Sequence, residues 1–145
     1  MKVVLQRVAH GEVEVDGKVC GKIGRGYVAL VGFCIEDDES KLEKAISKIK
    51  ALRVFPDEND KINLSINDIS GEILLVSQFT LYADCRKGNR PGFSFAMAPD
   101  KAKGMFEKFV RLAESHFSKV QTGIFGAHMK VSLLNDGPFT ILLDF

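Results

Sequence analysis

The sequence predicts an α+β fold in which two main helices pack on one side of a curved, mainly antiparallel or mixed sheet. Strand-like segments come first, followed by a helix, a strand, a long loop, a second helix and further strands. This order lacks the regular alternation of strand and helix that a doubly wound sheet requires. The glycine-rich segment Gly21–Gly26 has the spacing G-x-x-G-x-G and precedes a strand, so it predicts a turn and not a dinucleotide site.

The predicted strands are rich in β-branched and other apolar residues, and glycine or Asn and Asp separate several of them. They are Lys2–Val8, Glu12–Val15, Tyr27–Cys34, Glu72–Phe79, Met129–Leu134 and Phe139–Asp144. The last two are joined by Asn-Asp-Gly-Pro, which has the composition of a tight turn.

Two segments have helical periodicity. Asp38–Leu52 places apolar residues on one face, begins with acidic residues and carries lysines towards its end, as the helix dipole favours. Pro99–Phe117 begins with Pro-Asp and has a second apolar face, although Gly104 lowers its helix propensity. Because no low-complexity linker interrupts the 145 residues, residues 1–145 are predicted to form one domain.

Composition restricts the possible functions. A net charge of +1 gives no overall electrostatic footprint for nucleic acid, so we expect any RNA contact to be local and predict no DNA partner. The three cysteines form no C-x-x-C pair, which favours reduced thiols. The acidic run Glu36–Glu39 lacks the spacing of a calcium loop, and we predict no metal or other cofactor.

Tyr27–Ile35 is the longest uncharged apolar stretch and is too short to cross a bilayer, so no membrane partner is predicted. The first residues lead directly into strand-like sequence without the pattern of a secretory leader. We therefore expect a cytoplasmic protein.

Ser77, Gln78, Phe79 and Thr80 lie at the predicted end of a strand, where backbone N–H groups stop pairing and become free to donate. From local sequence alone, the Ser and the Thr are better interpreted as simple turn residues. A covalent nucleophile at Ser77 or Thr80 needs a base within hydrogen-bond reach, and no recognisable motif places one of the three histidines there.

Two further groups of cations are candidates for binding. The loop that contains Arg86, Lys87 and Arg90 is compatible both with a solvated basic loop and with a phosphate clamp, because its glycines let backbone N–H groups come close. Arg7 lies inside an apolar strand, where a charged residue most often faces water. Alternatively, Arg7 holds carbonyl oxygens such as those of Gly137–Pro138 in a fixed orientation.

Several separated motifs in a fixed order make the chain resemble the bacterial-type D-aminoacyl-tRNA deacylases over essentially its whole length. The motifs are Gln6–Val8, Ser77–Leu81, Lys87–Phe93, Gly123–Met129 and Asn135–Thr140. The resemblance implies a homodimer that hydrolyses the ester between a D-amino acid and the terminal adenosine of tRNA, with the active site at the dimer interface. Phe139 departs from the family pattern, in which a smaller β-branched residue is usual.

The resemblance also implies roles for individual residues. Gly137–Pro138 would be a Gly–cisPro element that one subunit inserts into the pocket of the other, where it acts as a chiral filter and admits glycine as well. Met129 and Arg7 belong to the same filter. Ser77, Gln78, Phe79 and Thr80 would form the catalytic strand end, and the acceptor end of tRNA would contact Arg86, Lys87 and Arg90.

The implied mechanism needs no strong side-chain base, because an aminoacyl ester is already activated and catalysis depends on positioning and oxyanion stabilisation. The substrate's ribose 2′-hydroxyl would activate the attacking water. Two alternatives stay open. A non-catalytic module would bind the tRNA end without releasing the amino acid, whereas a small-ester hydrolase would form an acyl-enzyme on Thr80 or Cys85 and be indifferent to tRNA.

Overall fold

The computed structural model describes residues 1–145, and its largest element is a curved sheet of six strands. These strands are β1 (Lys2–Val15), β2 (Lys18–Ile23), β3 (Gly26–Gly32), β6 (Glu72–Ser77), β7 (Val120–Thr122) and β8 (Lys130–Asp144). A separate pair is formed by β4 (Arg53–Pro56) and β5 (Ile62–Ser65). The helices are α1 (Ser40–Ala51) and α2 (Pro99–Glu114), and a 3₁₀ turn spans Phe79–Tyr82.

Strand β1 organises the sheet because it is long enough to pair with three neighbours. Its first half pairs antiparallel with β3 and its second half with β2, while β8 runs antiparallel along the opposite edge. Beyond β3, the strands β6 and β7 are added in parallel. The sheet is therefore mixed, and parallel β3 and β6 end side by side at one of its edges.

Alternating side chains give the sheet two buried faces. On one face, Tyr27, Ala29 and Val31 of β3 pack against the apolar faces of the two helices. On the other face, Val28 packs inside the curve with residues of β1, β2 and β6. Gly21 permits this curvature, since a Cβ there would lie 2.6 Å from the carbonyl oxygen of Thr122. Strand β2 thus folds over β7, and the sheet is nearly a barrel.

The predicted α+β class with two helices is confirmed, with shorter helices than expected and with β1 and β8 longer than the strands predicted there. Helix α1 begins two residues later than predicted and ends one residue earlier, and α2 ends at Glu114. Glu12–Val15 is the second half of β1 and not a strand of its own. The strands β4, β5 and β7 were not predicted, because each has only three or four residues with which to establish a periodicity. The prediction of a turn at Gly21–Gly26 is wrong in its first half, since β2 runs to Ile23.

The prediction of a tight turn at Asn-Asp-Gly-Pro is wrong. Gln6 of β1 pairs with Thr140, and Val8 pairs with Asn135, so the residues between bulge out of a continuous strand β8. Turn residues produce a bulge here because both flanking apolar runs find their partner in β1 and not in each other. We call the segment Asp136–Phe139 the bulge.

Candidate active site

A cavity of about 700 Å³ opens where β3 and β6 end. Thirteen of its nineteen lining residues are apolar. The lining comes from these strand ends, the segment that precedes α2, the first turn of α2, and the segment that leads into β8 with the first residues of that strand. Ser77, Gln78 and Phe79 line it, as the strand-end prediction requires. Met129 also lines it, together with His128, which is exposed. We call this space the active-site cavity.

The backbone changes its pairing at this strand end. The N–H of Gln78 donates to the carbonyl of Val31 at 2.7 Å, after which the chain leaves the sheet and enters the 3₁₀ turn. The bonds of that turn begin with the N–H of Leu81, which donates to the carbonyl of Gln78. The N–H groups of Phe79 and Thr80 precede this pattern, so they are free to donate to a bound group.

The predicted strand Glu72–Phe79 is therefore two residues too long, since β6 ends at Ser77. The Gln78 side-chain amide donates to the hydroxyl of Thr80. Thr80 is exposed and is not among the residues that line the active-site cavity. The hydroxyl of Thr80 is thus occupied by a neighbouring amide, and no histidine bonds to it.

Arg7 braces the bulge from behind. Its side chain is buried, and its Nη1 donates to the carbonyl of Val54 at 2.6 Å while Nε donates to the carbonyl of Asp136 at 2.8 Å. The ring of Phe139 lies 4.8 Å from the guanidinium carbon. The expectation that Arg7 faces water is wrong. Arg7 does hold a carbonyl oxygen of this region, but that oxygen belongs to Asp136 and not to Gly137 or Pro138.

Asn135, which directly precedes the bulge, stabilises it through side-chain hydrogen bonds, a role that the sequence did not predict. Its Oδ1 accepts from the N–H of Phe139 at 2.7 Å, and its Nδ2 donates to the hydroxyl of Thr140 at 2.9 Å. Gly137 has a φ of +139°, and a Cβ there would lie 2.9 Å from Nη2 of Arg7. The Gly137–Pro138 peptide bond is cis. Asn before Asp-Gly-Pro was a usable signal, because Asn side chains commonly bond to nearby backbone groups in turns.

The bulge and the active-site cavity are apart within one chain. Neither Gly137 nor Pro138 lines the cavity, and Arg7 does not line it either. The structure thus brings Met129 together with Ser77, Gln78 and Phe79, and separates this group from Arg7, Gly137 and Pro138. The strand that carries the bulge keeps large apolar residues exposed, including Leu134 at 54% and Leu142 at 63%.

A family model described as D-Tyr-tRNA(Tyr) deacylase matches residues 4–144. The chain belongs to this family. Curated proteins named D-aminoacyl-tRNA deacylase support the assignment at high identity over full length. The protein from Thermosipho africanus is 53% identical over 99% of this chain and 97% of its own length. The protein from Lactobacillus acidophilus is 54% identical over 99% of both.

Solved structures agree with the deacylase family fold. The c-Myc DNA unwinding element binding protein is 42% identical, with a TM-score of 0.95 and coverage of 100% of this chain and 99% of its own. A probable eukaryotic D-amino acid tRNA deacylase has a TM-score of 0.84 at 21% identity, over 99% of this chain and 98% of its own, and shows the fold alone. The family and the hydrolase class expected from the motifs are confirmed.

The basic loop of this deacylase family member, which contains Arg86, Lys87 and Arg90, is closed at its base by backbone hydrogen bonds. Asp84 and Gly92 exchange two backbone hydrogen bonds, of 2.7 and 2.9 Å, which hold the ends of the loop together. Arg86 donates to both carboxylate oxygens of Asp84 at 2.8 Å, and these hydrogen bonds lower the pKa of Asp84 to about 2. Lys87 and Arg90 are exposed and form no ion pair. Their charges are therefore more available to a phosphate than that of Arg86.

The loop returns to the active-site cavity through Phe93. The rings of Phe93 and Phe79 meet edge to face with their centroids 4.9 Å apart, and both residues line the cavity. No group of three or more potential metal-ligating side chains is present. No helix is both long and apolar enough to cross a membrane.

Proposed function

We propose that the chain hydrolyses the ester bond between a D-amino acid and the terminal adenosine of tRNA, as a cytoplasmic homodimer. The family match and the names of relatives that share more than half of its residues support the reaction. The observation that carries the proposal is the chemistry of the active-site cavity. It combines apolar walls with free backbone N–H donors and has no nucleophile paired with a base, which suits an ester that is already activated.

In the proposed reaction, the terminal adenosine lies against Ser77 and Gln78 in the apolar cavity. The N–H of Phe79, which lines the cavity, donates to the carbonyl oxygen as negative charge develops on it. A water molecule attacks the ester, and the substrate's own 2′-hydroxyl takes its proton and passes it to the leaving 3′-oxygen. The Gln78 amide holds the 3₁₀ turn in place through Thr80. Thr80 forms no covalent bond to the substrate.

The chiral filter in this proposal is the bulge of the partner subunit. Carbonyl oxygens around Gly137–Pro138 bind the substrate ammonium and leave no room for the side chain of an L-amino acid, whereas glycine has no side chain to exclude. Met129 completes the filter from the cavity side, and Arg7 fixes the bulge. The bulge is held rigidly by hydrogen bonds but lies apart from the cavity of its own chain, which supports a site built from two chains. The exposed apolar residues of β8 support its burial in a dimer.

The proposed nucleic-acid partner is the acceptor end of tRNA alone, contacted by Arg86, Lys87 and Arg90. One similar solved structure is named for binding to a DNA element. A net charge of +1 and a basic loop of three cations favour a short single-stranded contact over a duplex. Duplex DNA is accordingly the competitor to include when binding is measured.

Ester loss from D-Tyr-tRNA, L-Tyr-tRNA and Gly-tRNA tests the proposal. We expect rapid release from the D-substrate, appreciable release from the glycyl substrate and sparing of the L-substrate. Equal hydrolysis of the L- and D-substrates would contradict the filter. Tight binding of all three without release would instead identify a non-catalytic module for the tRNA end, and an acyl-enzyme detected by mass spectrometry would support the small-ester hydrolase.

A further inference from the structure

A second cavity, of about 720 Å³, lies behind one wall of the active-site cavity. The shared wall consists of the 3₁₀ turn Phe79–Tyr82 and the segment Phe93–Met97. Each of these two stretches contributes residues to both cavities. Phe79 and Phe93 line the active-site cavity, whereas Tyr82 and Phe95 line the second one. The two cavities are thus neighbours on the surface, separated by one layer of chain.

The wall has a defined backbone. The N–H of Ile35 donates to the carbonyl of Phe95 at 3.1 Å, and the N–H of Met97 donates to the carbonyl of Phe33 at 3.0 Å. The segment therefore pairs with the continuation of β3 beyond Gly32. In such pairing adjacent side chains point to opposite sides, which is consistent with Phe95 lining the second cavity while its neighbour Ala96 lines the active-site cavity.

Two aromatic rings of the second cavity each have a cation nearby. Nζ of Lys2 lies 5.0 Å from the centre of the Tyr82 ring, and the guanidinium carbon of Arg86 lies 5.9 Å from that of Phe95. Phe95 is 47% exposed although it is fully apolar. An exposed ring beside a cation in an open groove is the arrangement with which proteins stack unpaired bases and hold the adjoining phosphates.

The charges around this groove are compatible with a nucleotide. Lys2 and Arg86 are opposed by two carboxylates, those of Asp84 and Glu36. Asp84 is neutralised by its two hydrogen bonds from Arg86, and Glu36 is exposed to solvent. The groove therefore resembles a stacking surface with a modest positive contribution more than a strong phosphate site.

We propose that this second cavity binds the base of the nucleotide that precedes the terminal adenosine, stacked on Phe95. The inference rests on the proposed function, because it requires the terminal adenosine to occupy the active-site cavity on the other side of the wall. Lys2 and Arg86 then lie beside the phosphate that links the two nucleotides. The sugar–phosphate backbone of the nucleic acid crosses the wall at the 3₁₀ turn. The second base adds affinity without touching the reacting ester.

The test compares two small substrates, D-tyrosyl-adenosine and the D-tyrosyl ester of the dinucleotide cytidylyl-adenosine. Base–aromatic stacking predicts a KM about tenfold lower for the dinucleotide, with the same kcat. Phe95→Ala removes this advantage and leaves the kinetics of D-tyrosyl-adenosine unchanged. Phe95→Tyr keeps the advantage, because every aromatic ring offers a face. Ile35→Ala, which removes an exposed aliphatic side chain from the same groove, is the matched control and has little effect.

Each other outcome is decisive. Equal KM values for the two substrates in the unmodified protein would overturn the second base site. An equal loss on both substrates in Phe95→Ala would make Phe95 a support of the wall only. Dissociation of the dimer by Phe95→Ala in sedimentation would assign the groove to contact between copies. If neither ester is cleaved, the proposed reaction itself is wrong, and binding of uncharged cytidylyl-adenosine with and without Phe95 still decides the groove.

Discussion

The bulge and the active-site cavity are built in opposite ways. The bulge is fixed by side chains on both of its sides, with Arg7 bonded to the carbonyl of Asp136 and Asn135 bonded across to Phe139 and Thr140. The cavity has apolar walls and one side-chain hydrogen bond at its strand end. This fold therefore concentrates its bracing where backbone oxygens are displayed, and supplies shape and unpaired N–H donors where the chemistry is proposed.

The largest effect is expected if the bulge of one chain completes the active-site cavity of its partner. Gly137→Val damages the bulge, since any Cβ there meets Arg7 and the φ of +139° disfavours a branched side chain. Gln78→Ala damages the cavity. We expect two inactive homodimers. In a mixed dimer, one composite site carries both changes and the other carries neither, so random co-refolding restores activity to about a quarter of all sites.

Activity of the mixtures relative to the unmodified protein is the measurement, with tagged chains to prove that mixed dimers are present. Mixtures that stay inactive while mixed dimers are demonstrably present would show that the whole site lies within one chain. The hydrogen bonds that fix the bulge would then need another explanation, because a bulge that lies apart from the cavity of its own chain would contact no substrate.

The loss of the hydrogen bonds that Arg7 donates to the bulge and to Val54 should have the next largest effect on activity. Arg7→Ala leaves the carbonyls of Val54 and Asp136 without their donor and lets the bulge shift. A displacement of about 1 Å costs on the order of 100-fold in rate when geometry controls the reaction. Because a loosened filter also admits the wrong enantiomer, the ratio of kcat/KM for D- and L-Tyr-tRNA should fall as well. Arg7→Lys is the matched control, since it keeps the charge but not the planar fork that reaches two carbonyls.

A stability change outside both regions should leave this selectivity intact. Asp37 is buried and accepts hydrogen bonds from the Met1 ammonium at 2.6 Å and from Nζ of Lys41 at 2.7 Å. Burial alone would raise its pKa, but these bonds and that from the N–H of Cys34 outweigh it and lower the pKa. We expect Asp37→Asn to cost on the order of 2 kcal/mol of unfolding free energy at pH 7.

The depressed pKa of Asp37 fixes the pH dependence. Its contribution is fully present above the unfolded value of about 3.9 and is lost as pH falls through the lower folded value. Thermal unfolding should therefore show a gap between the unmodified protein and Asp37→Asn that narrows below about pH 4. A gap that is constant down to pH 2 would refute this ion-pair account. An altered D/L ratio at pH 7 would show that global stability, and not the local brace, controls the filter.

A smaller effect is expected at the strand end that we propose to be catalytic. Thr80→Ala removes the partner of the Gln78 amide but leaves the backbone N–H groups in place. Single-turnover hydrolysis of D-Tyr-tRNA should fall by no more than about tenfold, since general acid–base catalysis by a side chain contributes 10²–10⁴-fold and none is lost here. Complete loss in a folded variant, or a covalent adduct on Thr80 seen by mass spectrometry, would favour Thr80 as the nucleophile.

The same comparison shows where prediction from sequence succeeds. The strand end near Ser77 could be located because one continuous apolar strand stops there, which is a local property, although the strand ends two residues earlier than predicted. The bulge was misread as a turn because Asn-Asp-Gly-Pro has the same composition in both settings. Only the pairing of Leu133 and Ile141 with one partner strand, β1, distinguishes them, and this contact lies more than a hundred residues away in sequence.

For a related reason, local sequence could not decide between the two alternatives for Arg7 and did not predict the role of Asp84. Whether a charged residue faces water or a carbonyl depends on what the fold places opposite it, as Val54 is placed opposite Arg7. The salt bridge between Asp84 and Arg86 is local, but nothing in the loop sequence says which of its cations is neutralised. Motif order supplied the family, and the contacts of individual side chains came from the structure.

The smallest predicted effect concerns the basic loop and its salt dependence. Binding of the acceptor end should weaken with salt along a log–log slope on the order of −2 to −4, because only a few phosphates are contacted. Lys87→Ala should make the slope shallower by about 0.7, the value for one phosphate of a single strand. Arg86→Ala should change it by less, since Asp84 already neutralises that guanidinium and fewer ions are released on binding. Fluorescence titration of a labelled acceptor-end oligonucleotide at several salt concentrations, with duplex DNA as competitor, provides the slopes. Equal changes in the two variants would show that Arg86 leaves Asp84 to bind phosphate, and a slope near −10 would reject an acceptor-end contact altogether.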